Sequence, residues 1–178
     1  MQKIIVDTET TGLHPEIDDD LLQVSIIDDQ GVTLFDSLIR PHLLTSWDDA
    51  MAINHITPDM VKDAPEIVDV RRQIQDIFDH ADMIIGYNTH FDLEFLRACG
   101  NIRPLIDTQI IDVMQDFMEY MVHDRWFKLT AAADYFDFDW KAAPAHNSLG
   151  DCFATLHVYK NLQERGFYNA RKSTRNTV

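Results

Sequence analysis

The stretch Ile4-Ile5-Val6-Asp7-Thr8-Glu9-Thr10-Thr11-Gly12-Leu13 decides how this chain is interpreted, because an apolar run leads directly into two acids that are two residues apart. Side chains alternate between the two faces of a β-strand, so Asp7 and Glu9 are expected to point the same way. Two carboxylates that converge where a strand leaves the core repel each other unless a cation or a shared proton relieves the repulsion. The stretch therefore predicts a metal site, with a strand that runs out into a polar acidic loop as the alternative.

The length and the cysteine content favour one intracellular domain. A chain of 178 residues can bury a sizeable core and needs no disulfide scaffold. Cys99 and Cys152 lie among apolar neighbours without CxxC spacing, and we interpret them as reduced core thiols. The N-terminus lacks the pattern of a leader peptide, and no apolar run approaches membrane-spanning length. We expect a soluble, cytoplasmic protein with no membrane contact.

The charge balance limits how a nucleic acid could be bound. Fifteen basic residues against 30 acidic residues give a formal net charge of −15. A protein that grips long nucleic acid through its phosphates is usually basic on at least one face. Any nucleic-acid substrate of this chain is therefore expected to be held locally. The acidic runs at 18–20 and 28–29 lack the spacing of a calcium loop and are interpreted as solvated loop charges.

The C-terminal segment has the opposite balance. Basic residues outnumber acidic ones from Lys160 to Val178. We predict that about 166–178 form a basic, partly flexible tail. A frayed, solvated terminus is our interpretation, and contact with phosphate or with a partner is the alternative.

The periodicity predicts an α/β protein. Strands are expected over 2–7, 21–28, 32–40 and 83–85, where apolar and β-branched residues are dense. Helical spacing or helix-start signals predict helices after Thr57 and Glu66, and over roughly 89–100, 108–120, 129–135 and 148–163. This order indicates one domain with a sheet of mixed direction, and in such folds sites tend to lie at strand ends.

Two further acids stand at predicted helix starts, where a capping role is the simpler interpretation. Asp92 shares a helix face with Leu96 and Cys99, so its carboxylate borders apolar surface and would need a partner. For Asp151 the helical phase does not decide between a capping and a functional role, because this residue lies on a different face of its helix from the apolar positions.

His146 lies five residues before Asp151, on the loop that precedes the same helix. A histidine on a loop can swing toward the region of the acid. An imidazole beside a metal-held water is chemically suited to proton abstraction. An ordinary loop or capping histidine is the alternative that the residue alone leaves open.

Three motifs together resemble one family. DTETTGL at 7–13, YNTHFD at 87–92 and HNSLGD at 146–151 occur in the order and approximate separation of the DEDDh 3′-to-5′ exonucleases, the DnaQ-like group that includes the proofreading subunit of bacterial replicative polymerase. The resemblance spans nearly the whole chain. It implies a ribonuclease H-like fold, in which a mixed five-stranded sheet is flanked by helices.

The resemblance also implies a metal-dependent mechanism. Asp7 would bridge two divalent cations, Mg²⁺ or Mn²⁺, with Glu9 and Asp151 completing one metal and Asp92 supporting the second. His146 would be the general base. Hard oxygen ligands suit such cations, and a pair of them stabilises the attacking and departing oxygens of an in-line displacement.

The terminal nucleotide would be held, by the same resemblance, mainly by residues 8–13. Leu13 would lie against the base, with Asn88 and Phe91 nearby, while core packing is the alternative for Leu13 and Phe91. Many relatives carry His-Gly-Ile-Thr after the third strand, whereas this chain has a histidine, His55, in place of the glycine. The residues assigned to substrate binding are Thr8, Thr10, Gly12, Leu13, His55, Asn88 and Phe91.

We therefore expect a 3′-to-5′ exonuclease that releases nucleoside 5′-monophosphates from single-stranded or frayed DNA. An exoribonuclease acting on short RNA or on RNA 3′ tails is the first alternative. A catalytically silent module bound to a polymerase, a helicase or another replication or repair protein is the second.

Overall fold

A five-stranded sheet of mixed direction forms the centre of the protein in its computed structural model, which describes residues 1–42, 45–141 and 145–169. The strand order is β3-β2-β1-β4-β5. Strand β1 pairs antiparallel with β2 and parallel with β4, β2 pairs antiparallel with β3, and β4 pairs parallel with β5. The expected mixed five-stranded α/β sheet is thus confirmed. The strands are β1 Lys3–Thr10, β2 Leu21–Asp28, β3 Thr33–Leu38, β4 Met83–Gly86 and β5 Gln109–Asp112.

Helices cover both faces of the sheet. They are α1 Asp48–Asn54, α2 Pro58–Val61, α3 Ile67–Asp79, α4 Thr89–Gly100, α5 Val113–Tyr120, α6 Leu129–Tyr135 and α7 Ser148–Glu164. One core cluster joins one face of the sheet to α3 and α4, and a second joins the other face to α5, α6 and α7. None of the described helices is long and apolar enough to span a membrane.

Strand β1 shows how the sequence pattern sets the two layers. Ile4 and Val6 belong to the first core cluster, whereas Ile5 belongs to the second. Since successive side chains alternate between faces, Asp7 and Glu9 continue the side of Ile5. The acids therefore lie on the face of the sheet that packs against α7.

The helix predicted over 108–120 is wrong in its first part. Gln109–Asp112 form strand β5, which pairs with β4 so that Ile110 lies opposite Ile84, and the helix begins only at Val113. The four residues, two isoleucines between a glutamine and an aspartate, carry no decisive period, and pairing with a buried strand outweighs local helix propensity. Helix α1 was not predicted.

The structure describes only part of the segment that was predicted to be a basic, partly flexible tail, 166–178. Over 166–169, Phe167 and Tyr168 pack against the second core cluster. Residues 170–178 lie outside the described residues, as do residues 142–144, which precede His146 in the sequence.

Both cysteines are free thiols. Cys152 is fully buried on α7, and its thiol lies 3.4 Å from the backbone carbonyl oxygen of Ser25 and 3.7 Å from that of Ile5. Burial raises the pKa of the Cys152 thiol well above its ordinary value. A neutral, buried thiol is a poor nucleophile, which agrees with a packing role.

Candidate active site

The exposed end of β1 carries the first two acids. Asp7 lies opposite Ser25 of β2, and the pairing register of the two strands shifts between Glu9 and Thr10. Such an irregularity bends a strand and ends regular pairing, which is common beside active sites. Asp7 and Glu9 thus lie where β1 leaves the sheet, and both are partly exposed.

The third acid reaches this strand end because the start of α7 is bonded to β2. The hydroxyl oxygens of Ser25 and Ser148 lie 2.6 Å apart, and Asn147 donates from its amide nitrogen to Gln23 Oε1 at 3.2 Å. Asn147 also caps α7, since its side-chain oxygen accepts from the Gly150 backbone N–H. Ser25 is the partner of Asp7 across the sheet, so these bonds place Asp151, in the first turn of α7, beside Asp7.

Three carboxylates form a compact cluster. One oxygen each of Asp7, Glu9 and Asp151 lies within 4.8 Å of the other two. Oxygen atoms at this separation are suited to share one hard divalent cation. The convergence of Asp7 and Glu9 predicted from their spacing is thereby confirmed.

The fourth acid adjoins the cluster from α4. Asp92 is 3% exposed and accepts two hydrogen bonds at Oδ1, from the Thr8 backbone N–H at 3.0 Å and from the Thr8 hydroxyl at 2.7 Å. Its negative charge contributes to raising the pKa values of both Asp7 and Glu9. Asp92 was expected to need a partner, and that partner is Thr8, which lies between Asp7 and Glu9 on β1.

Burial raises the pKa values of all four acids. Burial is the largest cause, and neighbouring carboxylates add to it for Asp7 and Glu9. The pKa of Asp7 is raised well above its usual range, that of Glu9 rises to about 8, and those of Asp92 and Asp151 rise to about 7. Four acids whose charged forms are disfavoured in this way are suited to bind cations, which would take the place of the bound protons.

His146 lies at the edge of this cluster. It is exposed, and its backbone has the left-handed φ of 60°. Its backbone amide hydrogen-bonds the Asp151 carboxylate and thereby lowers the pKa of that acid, against the larger effect of burial. His146 and Asp151 also line one cavity of about 280 Å³. The imidazole is therefore available at the site, as expected of a loop histidine.

The residues predicted to hold the nucleotide along 8–13 have different environments. The Thr8 hydroxyl is used by Asp92, and the Thr10 hydroxyl donates to the Gly12 carbonyl at 2.6 Å. Gly12 packs so closely on the Asp19 carboxylate that a Cβ at this position would overlap it. Leu13 is 70% exposed at the tip of this loop.

The other predicted contacts surround the strand end. His55 is exposed and ends α1 with a left-handed φ of 60°. Asn88 precedes α4 with a φ of 65°, and its backbone N–H donates to Asp112 Oδ1 at 3.0 Å. Phe91 is partly buried against the first core cluster, with its ring 4.9 Å from that of Phe95. Phe91 therefore packs against the core, and its contact with a nucleotide stays a prediction.

Two features of the site had not been predicted. Asn54, next to His55, donates to the Thr10 carbonyl at 3.1 Å and makes a side-chain hydrogen bond that lowers the pKa of Glu9. The available signal was its place directly before His55, in the segment compared above with the His-Gly-Ile-Thr of relatives. The connection between α5 and α6, around Trp126, shares a cavity with His146 and had no motif to indicate its position.

The family model that describes the RNase_T exonucleases matches residues 4–159 of this chain. The match runs from β1 into α7 and includes every acid of the cluster. The chain belongs to this exonuclease family. The resemblance to the DnaQ-like exonucleases, and with it the prediction of a nuclease, is confirmed.

Relatives of this exonuclease come from phage, bacteria and yeast. An uncharacterized exonuclease of Escherichia phage 186 is 26% identical, with 92% of this chain and 89% of the phage protein covered. The PolC-type DNA polymerase III of Bacillus subtilis is 32% identical over 92% of this chain, but the exonuclease spans only 12% of that polymerase. RNA exonuclease 4 of Candida glabrata is 26% identical, with 90% of this chain and 60% of the yeast protein covered.

Solved structures with the same fold include two DNA complexes. Exonuclease X in complex with 5′ overhanging duplex DNA has a TM-score of 0.69 and 23% identity, with 92% of each chain covered. Escherichia coli exonuclease I in complex with a dA16 oligonucleotide has a TM-score of 0.76 and 21% identity, with 94% of this chain and 42% of the other covered. At this identity the likeness confirms the ribonuclease H-like fold.

Proposed function

We propose that this exonuclease is a metal-dependent 3′-to-5′ enzyme that releases nucleoside 5′-monophosphates from single-stranded or frayed DNA. The observation that carries this proposal is the cluster of Asp7, Glu9 and Asp151, whose oxygens lie within 4.8 Å of one another, with Asp92 beside them. Different parts of the chain bring these four carboxylates together. Packing alone does not explain such a cluster, because burying each carboxylate as an anion destabilises the fold.

The residues fit two divalent cations, Mg²⁺ or Mn²⁺. Asp7 would serve both ions because it is central: its pKa is raised by each of the other three acids. Glu9 and Asp151 would complete one ion, and Asp92 would support the other. When bound, the two cations would stabilise the attacking and departing oxygens of an in-line displacement at phosphorus.

His146 would accept the proton of the attacking water on a ring nitrogen. Its imidazole is exposed on a loop, while its backbone amide is tied to the Asp151 carboxylate. The imidazole can therefore rotate while the backbone of His146 stays beside the acids. Proton transfer by a positioned side chain contributes about 10²- to 10⁴-fold to a rate.

The terminal nucleotide would lie over the end of β1. Exposed Leu13 would contact the base, with His55 and Asn88 at the sides and Phe91, Thr8, Thr10 and Gly12 shaping the floor of the pocket. A chain with a net charge of −15 would not hold long duplex DNA through its phosphates, so a single-stranded or frayed 3′ end, bound locally, is the fitting substrate.

RNA is the second candidate substrate. The yeast relative named RNA exonuclease 4 matches 90% of this chain. The described site offers nothing that distinguishes a ribose from a deoxyribose, since a 2′-hydroxyl is recognised by individual pocket contacts. A role beside a polymerase is supported only by relatives in which this domain is a small part of a much longer protein.

The test compares length-matched DNA and RNA oligonucleotides, labelled in turn at the 3′ and 5′ ends, with Mg²⁺ or Mn²⁺. We expect stepwise shortening of 5′-labelled DNA and immediate release of a labelled mononucleotide from the 3′ end. The Asp7→Asn variant should be inactive. Degradation of RNA alone would favour the exoribonuclease, and release of label from the 5′ end first would overturn the direction. No product with either metal would favour a silent binding module.

A further inference from the structure

A cavity of about 280 Å³ connects the acidic cluster with the α5–α6 connection, which comprises residues 121–128. Asn88, His146 and Asp151 line this cavity, and so do Trp126 and Lys128. The proposed reaction and the terminal nucleotide involve only the first three residues. The proposed function gives no ligand to Trp126 and Lys128.

The α5–α6 connection is held in place through Phe127. The Tyr87 hydroxyl donates to the Phe127 carbonyl at 2.7 Å, and the Phe127 ring packs edge-on against Phe117 with 5.3 Å between the ring centres. Phe127 is thus anchored to Tyr87, the residue after β4, and to the second core cluster. Its two neighbours in sequence, Trp126 and Lys128, are both exposed.

Trp126 differs from the other two tryptophans. Trp47 is buried and donates its indole N–H to the Ile56 carbonyl, and Trp140 donates to Asp134. Trp126 is 63% exposed, and its indole N–H has no hydrogen-bond partner among the residues that the structure describes. An exposed tryptophan on an anchored backbone is a ready platform for a flat, apolar ligand.

The charge of the connection complements a phosphate. Arg125 and Lys128 are exposed, and neither side chain forms an ion pair within 1–42, 45–141 and 145–169. An aromatic platform beside cations is the combination by which proteins bind single-stranded nucleic acid without reading its sequence.

We infer that Trp126 and Lys128 bind the nucleic-acid strand on the 5′ side of the bond that is cleaved, with a base stacked on the Trp126 indole and a backbone phosphate at the Lys128 ammonium group. The inference rests on the proposed function, because the terminal nucleotide is assigned there to the end of β1, around Leu13, which does not line this cavity. The strand that leads to the terminal nucleotide would then pass through the cavity. The segment would select substrates with unpaired bases upstream of the 3′ end.

The kinetic test compares two substrates, only one of which has an upstream strand, and takes each variant relative to the parent so that the different leaving groups cancel. One is a single-stranded DNA oligonucleotide; the other is the p-nitrophenyl ester of thymidine 5′-monophosphate, which has a nucleotide and a phosphodiester but no upstream nucleotides. Trp126→Ala should lower the ratio of kcat/KM for the oligonucleotide to kcat/KM for the ester by about 5- to 100-fold, as expected from loss of one stacked base. Trp126→Phe should recover part of the loss. Ile106→Ala removes a side chain that is 99% exposed before β5 and serves as the control.

The binding test does not depend on activity. Fluorescence anisotropy with a labelled oligonucleotide in EDTA, at several salt concentrations, should show weaker binding by Trp126→Ala. Lys128→Gln should reduce the slope of log K against log salt by about 0.7, the value for one phosphate contact on a single strand. Lys62→Gln, at an exposed lysine beyond α2, should leave the slope unchanged.

The outcomes separate the two proposals. An active enzyme whose substrate ratio, oligonucleotide affinity and salt slope are the same in parent and variants would overturn this inference and leave the proposed function standing. An inactive enzyme whose binding still depends on Trp126 and Lys128 would overturn the proposed function but support a strand-binding surface. If Trp126→Ala lowered kcat/KM equally for both substrates and kept its affinity for the oligonucleotide, Trp126 would act on the acidic site and not on the strand, and this inference would be overturned.

Discussion

Both hydrogen-bond donors of Thr8 are directed at one carboxylate oxygen of Asp92, with the backbone N–H at 3.0 Å and the hydroxyl at 2.7 Å. Hydrogen bonds to a carboxylate are stronger than those between neutral groups, and these two lower the pKa of Asp92 against the larger effect of burial. Thr8 lies between Asp7 and Glu9 on β1. One strand residue therefore attaches the acid of α4 to the two acids of the strand.

Replacement of Thr8 by Val tests this attachment, because it removes the hydroxyl donor and retains the backbone donor and the branched shape. We expect the affinity for Mn²⁺, measured by calorimetry, to fall about 10- to 100-fold, as for other groups that orient a metal ligand. Thr108→Val is the matched control, since its hydroxyl donates to the Ala81 carbonyl away from the acids. Equal affinities in Thr8→Val and the parent would show that the backbone donor alone is sufficient.

Replacement of His146 tests the proposed base. Asn tolerates a left-handed backbone, so His146→Asn should preserve the φ of 60° and the amide contact with Asp151 while removing the imidazole. We expect kcat to fall about 10²- to 10⁴-fold with little change in KM or in the melting temperature. His80→Asn, at an exposed position after α3, is the control. Unchanged turnover in His146→Asn would remove this residue from the mechanism.

The raised pKa values predict how the stability of the metal-free protein depends on pH. The folded pKa of Glu9 is about 8 against an ordinary 4.5, so the folded state holds more protons than the unfolded state between these values. The stabilising contribution is complete below about 4.5 and is lost as the pH rises through 8. Asp92 and Asp151, with pKa values of about 7, act in the same direction.

Melting temperatures in EDTA should therefore fall between pH 6 and pH 9, and saturating Mg²⁺ should reduce the fall. Glu9→Gln should reduce the pH dependence as well, because an amide carries no charge to repel its neighbours. Asp59→Asn, at an exposed residue of α2, should follow the parent. A Glu9→Gln variant with the same pH dependence as the parent would contradict the origin assigned to the effect.

The exposed loop after β1 provides a matched pair for substrate contact. Leu13 is 70% exposed and Ile17 is 68% exposed, and both are aliphatic. If Leu13 covers the terminal base, Leu13→Ala should raise KM for an oligonucleotide about 3- to 30-fold, in line with the loss of a buried aliphatic contact. Ile17→Ala should not change KM. Similar KM values in the two variants would place the base elsewhere.

The sequence by itself determined the strand end and the direction of its acids. A residue spacing of two on an apolar strand requires Asp7 and Glu9 to share a face, whatever the rest of the chain does. The helix over Thr89–Gly100 was likewise predicted at its observed bounds, because its apolar period, its first-turn acid and its final glycine agree with one another. These features depend on residues close in the chain, so local chemistry was sufficient.

The tertiary structure alone decided which distant groups join them. Helical phase left Asp151 undecided, and its position beside Asp7 follows from the contact between Ser25 and Ser148, which are 123 residues apart in sequence. Strand β5 formed where a helix was predicted, since pairing with β4 supplies hydrogen bonds that no local pattern reveals. Trp126 came to the edge of the site through the bond between Tyr87 and Phe127. Contacts between remote segments are set by packing and by the satisfaction of buried polar groups, and neither is encoded in the spacing of neighbouring residues.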